Sequence, residues 1–129
     1  TPRVAFLSFS SFGRPASQIT QAARDAVAVL DKRKVDFEYE GEMTADIALD
    51  FGLMQSSYPF SRLTAAANIL VMPGLHSANI SFNLMQQLGG GTVIGPMILN
   101  AEFPFQIIPM NATVNDLVNA AALAAYESL

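Results

Sequence analysis

The 129-residue chain contains no cysteine. That excludes a disulfide framework, a thiol nucleophile and a thiolate zinc site, and it fits a reducing compartment. Cations are scarce and confined to one half. Arg3, Arg14, Arg24, Lys32, Arg33, Lys34 and Arg62 are the whole set, and from Leu63 to Leu129 the only basic side chain is His76. Nucleic acid demands clustered cations, so no nucleic-acid partner is expected. An anion held wholly by the second half would have to rest on helix N-termini and backbone N–H groups. No apolar run approaches the roughly 20 residues of a membrane span, and no secretory signal is recognisable. The expectation is a cytoplasmic protein with no membrane partner. Charged residues make up only 14% of the chain, against roughly 25% in an average globular protein, while hydrophobic residues reach 51% and the net charge is −4. A surface so poor in charge predicts that part of it is covered, by another subunit or by a segment outside these residues. The chain opens on Thr1 instead of Met, which reads as a piece of a longer protein.

What is present is an alternation of strand and helix patterns. Arg3–Phe9 reads as a mostly buried first strand. A Ser-rich loop follows, and Ser17 is the expected cap of a helix over 18–33 whose inward face carries Ile19, Ala22, Ala23, Ala26, Val29 and Leu30. Lys32, Arg33 and Lys34 suit the negative end of that helix dipole. Val35–Glu40 alternates apolar with acidic residues, as a half-exposed strand near an edge does. Its acidic set, Asp36, Glu38, Glu40 and Glu42, reads as a solvated face with no metal-binding spacing. Thr44 caps a short helix through Leu49. Phe51–Ser61 reads as irregular, because Pro59 blocks a long helix. Asn68–Met72 is a third strand. A helix beginning at Ser77 or Asn79 runs to Leu88, with Ile80, Leu84 and Leu88 on its inner face, and a glycine of Gly89–Gly91 supplies the positive-φ C-cap. Thr92–Leu99 and Phe105–Ile108 read as a fourth and fifth strand, and 113–126 as a last helix. This order implies an α/β fold with three layers, α/β/α, around a mainly parallel sheet. The last helix is apolar on nearly all sides, and such a helix is normally covered on more than one side.

Several residues invite a chemical reading. Asp116 follows Thr113 by three, the T-x-x-D form of a capping box, so helix capping leads over a general-base role. His76 sits before a helix with Ser77, Asn79 and Ser81 near it, but no catalytic motif joins them, and a capping or interface role leads. Gly89–Thr92 lacks the Lys-Ser/Thr of a phosphate loop and precedes a strand, so a tight turn is the reading. Ser8, Ser10 and Ser11, followed by Gly13 and Arg14, form a loop that either holds an anion at the start of the first helix or makes ordinary turn bonds.

Five segments taken together carry a resemblance: V-A-F-L-S-F-S-S-F-G, D-F-E-Y-E-G-E-M-T-A-D-I-A-L, A-N-I-L-V-M-P-G-L-H-S-A-N-I, Q-L-G-G-G-T-V-I-G-P-M-I-L and V-N-D-L-V-N-A-A-A-L-A-A. In order and spacing they resemble the C-terminal part of the phosphate acetyl/butyryl transferase family. P-G-L-H-S-A-N-I with the opening L-S-F-S is most similar to the transferase-like domain at the C-terminus of bacterial NADP-dependent malic enzymes. The resemblance implies an isocitrate/isopropylmalate dehydrogenase-like fold, of which the chain is a fragment of a two-domain unit. Residues 1–129 would be the C-terminal part of the transferase-like domain, with 102–129 a candidate for the neighbouring domain. It also implies acetyl-CoA or a related acyl-CoA as effector, with NADP and a divalent metal serving only an N-terminal part outside this sequence, and a homo-oligomer.

The departure falls at Gln106–Val118. Transferases of the family carry N-D-L-S-R-G before the last helix, with the Ser and Arg in the active site. Aligned backwards from V-N-D-L-V, Pro109 stands in place of the Ser, Met110 in place of the Arg and Asn111 in place of the Gly, while Asp116 matches an active-site Asp. Proline has no hydroxyl, and methionine cannot balance a phosphate's charge. The expectation is a regulatory, non-catalytic, acetyl-CoA-sensing domain with no catalytic residue of its own. Its ligand-binding candidates are Ser10, Ser11, Arg14, Asn111 and Asp116, and no metal site is expected. Two alternatives stand beside it: an active phosphate acetyltransferase with a rearranged site, and an oligomerisation module.

Overall fold

In the computed structural model, residues 1–98 and 101–127 are described. Three parallel strands form the sheet in the order β2-β1-β3: β1 (Arg3–Leu7), β2 (Glu38–Met43) and β3 (Ile69–Val71). Between β1 and β2 lies α1 (Gln21–Leu30), and between β2 and β3 lie α2 (Ala45–Leu49) and α3 (Phe51–Ser57). The α/β architecture with a parallel sheet is as the element order implies. β1 is central because its apolar residues suit burial: Val4, Ala5 and Leu7 are all buried. Arg3 anchors its start. Its backbone N–H donates to Asn68 Oδ1 at 2.7 Å and its Nε to the Ala66 carbonyl at 2.8 Å. The core joins β1 and β2 to α2, α3 and the segment before β3, through Ala5, Leu7, Met43, Ile47, Ala48, Met54, Leu63 and Ala67.

The chain divides into two compact units, residues 1–82 and 83–129, with the boundary inside α4 (Leu75–Leu88). All the buried hydrophobic residues of the core belong to the first. The second holds the end of α4, an extended connection and α5 (Val114–Glu127).

Several local expectations are corrected. The helix α1 starts at Gln21 with Thr20 as its N-cap residue, later than Ser17, and it stops at Leu30, short of the basic trio. Its inward residue is Val27, with Ala23, Arg24, Ala26 and Leu30 half-buried, whereas Ile19 and Val29 are exposed. The face is thus rotated, and it carries an arginine. Phe51–Ser57 is helical because Asp50 caps it, its Oδ1 accepting from the Leu53 N–H at 2.9 Å; the cap outweighs the terminating effect of Pro59 two residues beyond. The helix α4 begins at Leu75, just after Gly74, and Ile80, Leu84 and Leu88 on it are exposed. At its end, Gly90 adopts φ +62, the left-handed C-cap conformation.

The expected fourth and fifth strands are absent among the described residues: 92–98 and 105–108 form no ladder. An extended run becomes a strand only by pairing, and Pro96 offers no N–H to a partner. Leu99, the last residue of the fourth expected strand, lies outside the described residues.

The acidic face is the largest correction. Glu40 and Glu42, two residues apart on one strand and so on one face, are both buried, and Met43 beside Glu42 is buried as well. The adjacent buried pair Glu42–Met43 coincides with a bulge. Phe6 pairs with Gly41 and Leu7 with Met43, so Glu42 is the extra residue opposite that step, and a bulge re-aims its side chains. The glutamates of β2 are each bonded. Glu38 accepts from the Thr64 N–H and hydroxyl, each at 2.8 Å, which hold its pKa down. Glu40 accepts from the Arg62 N–H at 3.0 Å, from its Nε at 3.2 Å and from its Nη2 at 3.1 Å. The guanidinium also meets Asp31 at 2.6 Å and lies 4.7 Å from the Tyr39 ring centroid. The Glu40 bond leads in raising the Arg62 pKa, and Arg62 in turn lowers that of Asp31. Asp36, by contrast, is exposed as the sequence pattern requires.

Candidate functional site

Two places carry the candidate residues, one in each unit. In the first, β1 delivers the chain into the loop Ser8–Arg14. Ser11 and Arg14 close a tight turn with two backbone bonds, Ser11 N–H to the Arg14 carbonyl at 3.2 Å and Arg14 N–H to the Ser11 carbonyl at 3.1 Å. Phe12 (φ 52) and Gly13 (φ +78) make the reversal. Ser10 and Ser11 are both buried. The Ser10 hydroxyl donates to Glu42 Oε1 at 2.8 Å, and Ser11 Oγ accepts from the Thr44 N–H at 3.0 Å. The hydroxyls of both serines therefore hold the loop to the end of β2. Arg14 is different: its side chain is exposed and makes no ion pair among the described residues.

Arg24 and Glu42, which the sequence reading did not single out, are the charged centre of this region. The guanidinium Nη1 lies 2.9 Å from Glu42 Oε1, and Glu42 is fully buried. Arg24 Nη1 also donates to the Thr20 hydroxyl at 2.7 Å, and Nη2 to the Ser17 carbonyl and Gln21 Oε1 at 2.9 Å each. A sequence signal for this exists in hindsight. Arg24 shares helical spacing with Thr20 and Val27 on the buried face, and a cation there needs a partner. Beside this cluster, at the carboxyl ends of β1 and β3, lies a mostly apolar cavity of about 170 Å³ lined by Phe6, Ser8, Thr20, Ala23, Met72 and neighbours.

In the second unit the extended run through Ile107 and Ile108 ends at Pro109. A β-turn over Pro109–Ala112 follows, closed by the Ala112 N–H on the Pro109 carbonyl at 3.0 Å. Met110, at its corner, is fully exposed, and Asn111 is exposed too. Thr113 then caps α5. Asp116 Oδ2 accepts from the Thr113 N–H at 2.7 Å and from its hydroxyl at 2.8 Å, and the Asp116 N–H donates to Thr113 Oγ1 at 3.3 Å. This is the capping box that the T-x-x-D spacing predicts. The Thr113 backbone N–H, and then its hydroxyl, hold the Asp116 carboxyl below its ordinary value of 3.8.

A folded-state pKa below the unfolded one stabilises above the unfolded value and is lost as pH falls through the folded value. Asp116→Asn is therefore expected to reduce the helicity of α5 at pH 7. The difference from the wild type should shrink below about pH 4, as read by amide exchange of residues 113–118 at the two pH values.

Asp116 also lines a cavity of about 90 Å³, with Pro109, Gln106, Asn119, Gln86 and the apolar Ile107, Ile94 and Leu123 among its walls. Among the described residues, Asp116 is the only charged residue in that lining, and none of them there is Lys, Arg, His, Ser, Thr or Cys. Such walls can accept or donate amide hydrogen bonds and cover an apolar group. They supply no cation and no hydroxyl to a phosphoryl or acyl centre. Asn111 and Met110 are outside the lining. His76 lies in the first turn of α4 and is exposed.

Comparison with known proteins gives the context. The chain is 52% identical over 127 residues to an NADP-dependent malic enzyme of Rhizobium meliloti, covering 98% of this chain and 17% of that protein. It is 35% identical over 127 residues to the phosphate acetyltransferase of Paracoccus denitrificans, covering 98% of this chain and 40% of that one. The solved structure of the EutD phosphotransacetylase from Staphylococcus aureus superposes with a TM-score of 0.89 at 28% identity, over 99% of this chain and 40% of that chain. The chain thus spans about a sixth of the malic enzyme's length and two-fifths of the transferase's. Residues 1–125 match the family described as phosphate acetyl/butaryl transferase, and to that family the chain belongs.

Proposed function

We propose that the chain is a regulatory, non-catalytic transferase-like module of an NADP-dependent malic enzyme, and that it senses acetyl-CoA or a related acyl-CoA. The observation that carries this is the cavity at Pro109 and Asp116, whose walls, among the described residues, include no cation and no hydroxyl. A dianionic acyl phosphate is stabilised in transfer by positive charge aimed at its oxygens, and these walls offer one carboxylate instead. The 52% identity to a malic enzyme supports that parent over a free-standing transferase. Malate oxidation and decarboxylation, with NADP and a divalent metal, would belong to the parent's other part. Residues 102–129 are proposed to belong to the neighbouring domain of the longer protein.

Within the first unit, Ser10 and Ser11 build the loop that carries the exposed cation Arg14, and within the second, Asn111 and Asp116 are the ligand-binding candidates. The apolar side chains exposed on α5, among them Val114, Leu117, Val118 and Tyr126, support assembly as a homo-oligomer. No helix among the described residues is long and apolar enough to cross a membrane. Effector binding regulates only if the ligand prefers one state of the assembly over another. Isothermal titration of the full-length parent with acetyl-CoA is expected to show saturable binding, with malate kinetics shifted by the same ligand. No heat of binding together with unchanged malate kinetics would overturn the proposal.

The active-transferase reading is favoured by one observation: Asp116, the residue that matches a family active-site aspartate, faces the cavity.

A further inference from the structure

Glu42 is built at a cost that stability does not explain. Its side chain is completely buried, and three donors converge on one oxygen: the Ser10 hydroxyl at 2.8 Å, the Gly13 N–H at 2.9 Å and Arg24 Nη1 at 2.9 Å, all on Oε1. Its other oxygen, Oε2, is buried and takes no hydrogen bond. Buried polar atoms are nearly always bonded. A buried ion pair is, besides, weak evidence for stability, since apolar residues of similar volume commonly serve as well. What the pair does provide is a fixed geometry. From the bulge at the end of β2, one carboxylate oxygen reaches the loop at Ser10 and Gly13 and reaches α1 at Arg24. The Glu42 carbonyl adds a fourth tie, accepting from the Phe12 N–H at 2.8 Å. Arg24 extends the network to Thr20, in the wall of the cavity at the carboxyl end of β1. With the sheet order β2-β1-β3, the chain passes from β1 to β2 on one side and then crosses back past β1 to β3 on the other, the kind of reversal at which open parallel sheets receive ligands.

We propose that Arg24 and Glu42 form a buried latch that positions the Ser8–Arg14 loop for ligand binding, with Glu42 as the positioning residue and Arg14 as the cation that the latched loop presents. The ligand class is anionic and phosphorylated, which rests on the acyl-CoA reading above. The fork of Arg24 spans Glu42, Thr20, Ser17 and Gln21 at once, a reach that a lysine ammonium does not reproduce.

The test uses the full-length protein, with Arg24→Met, Arg24→Lys and the double variant Arg24→Met/Glu42→Gln, and it reads two quantities. One is deuterium exchange of the peptide covering Phe12 and Gly13; the other is the affinity for acetyl-CoA. Arg24→Met leaves a buried carboxylate unpaired, so loop exchange should rise and acetyl-CoA affinity should fall, each about tenfold. The double variant removes the lone buried charge but not the lost tie to α1, so it should regain stability while loop exchange and acetyl-CoA affinity stay within about threefold of Arg24→Met. Arg24→Lys, which keeps the charge, should fold and still show the faster loop. Loop exchange unchanged in both single variants would overturn the latch. So would a double variant with wild-type loop exchange, because the loop would then be held without the pair. If the wild type does not bind acetyl-CoA, the acyl-CoA reading fails, while loop exchange still decides whether the latch exists.

Discussion

Gly41→Ala is expected to destabilise the first unit by about 3 kcal/mol, from overpacking and backbone strain together. Gly41 lies at φ +152, and a Cβ added there would stand 2.8 Å from both the Cβ and the carbonyl oxygen of Phe6. Neither atom is the free end of a flexible chain. Phe6 sits in the central strand and pairs with Gly41 itself, so relief would require β1 and β2 to separate at the step where Glu42 is bulged out. Two companion substitutions divide the effect. Gly13→Ala has a positive φ of +78 but open space around it, so it should cost only the conformational part, about 1 kcal/mol. At Gly74, where a Cβ would meet nothing within 4 Å and φ is not positive, alanine should change little. Urea denaturation of the three variants checks the order. A Gly41→Ala variant as stable as Gly74→Ala would show that the strands do not approach as described.

The second large effect is in chemistry. The full-length protein is expected to make acetyl-CoA from acetyl phosphate and CoA at least ~10³-fold more slowly than the Paracoccus denitrificans transferase, because oriented donors and cations at a developing charge are each worth factors of this order. By the resemblance, Pro109 stands in place of a hydroxyl and Met110 in place of a guanidinium, and the described residues lining the cavity beside Pro109 include one carboxylate and no basic or hydroxyl side chain. The comparator must be assayed beside it, and folding confirmed by circular dichroism. A rate within tenfold of the comparator would establish the active-transferase reading instead. Pro109→Ser/Met110→Arg then asks whether that pair is all that is missing: a rise above the wild-type background answers yes. Asp116 need not change for this, since its carboxylate already faces the cavity while capping α5.

The α5 cap and the α4 terminus show what sequence can carry. Thr113 and Asp116 are three residues apart, and every bond of their box is local, so spacing was enough. The same holds for Gly90, whose role depends on its own φ. β1 and β3 were legible because runs of apolar residues between turns seek a sheet, while β2, expected over Val35–Glu40 from its alternation, runs from Glu38 to Met43. The expected fourth and fifth were not strands, since pairing depends on a partner that the run does not encode. The α1 face was misread by a fraction of a turn: alanines fit either side of a helix, and only packing selects Val27 over Val29.

Glu42 marks the limit most sharply. In sequence it is one member of an acidic, alternating run, and alternation places it in solvent. In the structure it is buried at the bulge of β2, as Glu40 is two residues before it, and its partners Ser10, Gly13 and Arg24 are 18 to 32 positions away. Local chemistry thus established the α5 capping box, the glycine end of α4 and the order of the first three strands, because each depends on residue type or near neighbours. Tertiary pairing assigned the charges: which glutamates are buried, that Arg24 and Arg62 meet them, and that Arg14 is left exposed. Electrostatic partnership is a matter of distance in space, and chain spacing does not fix it.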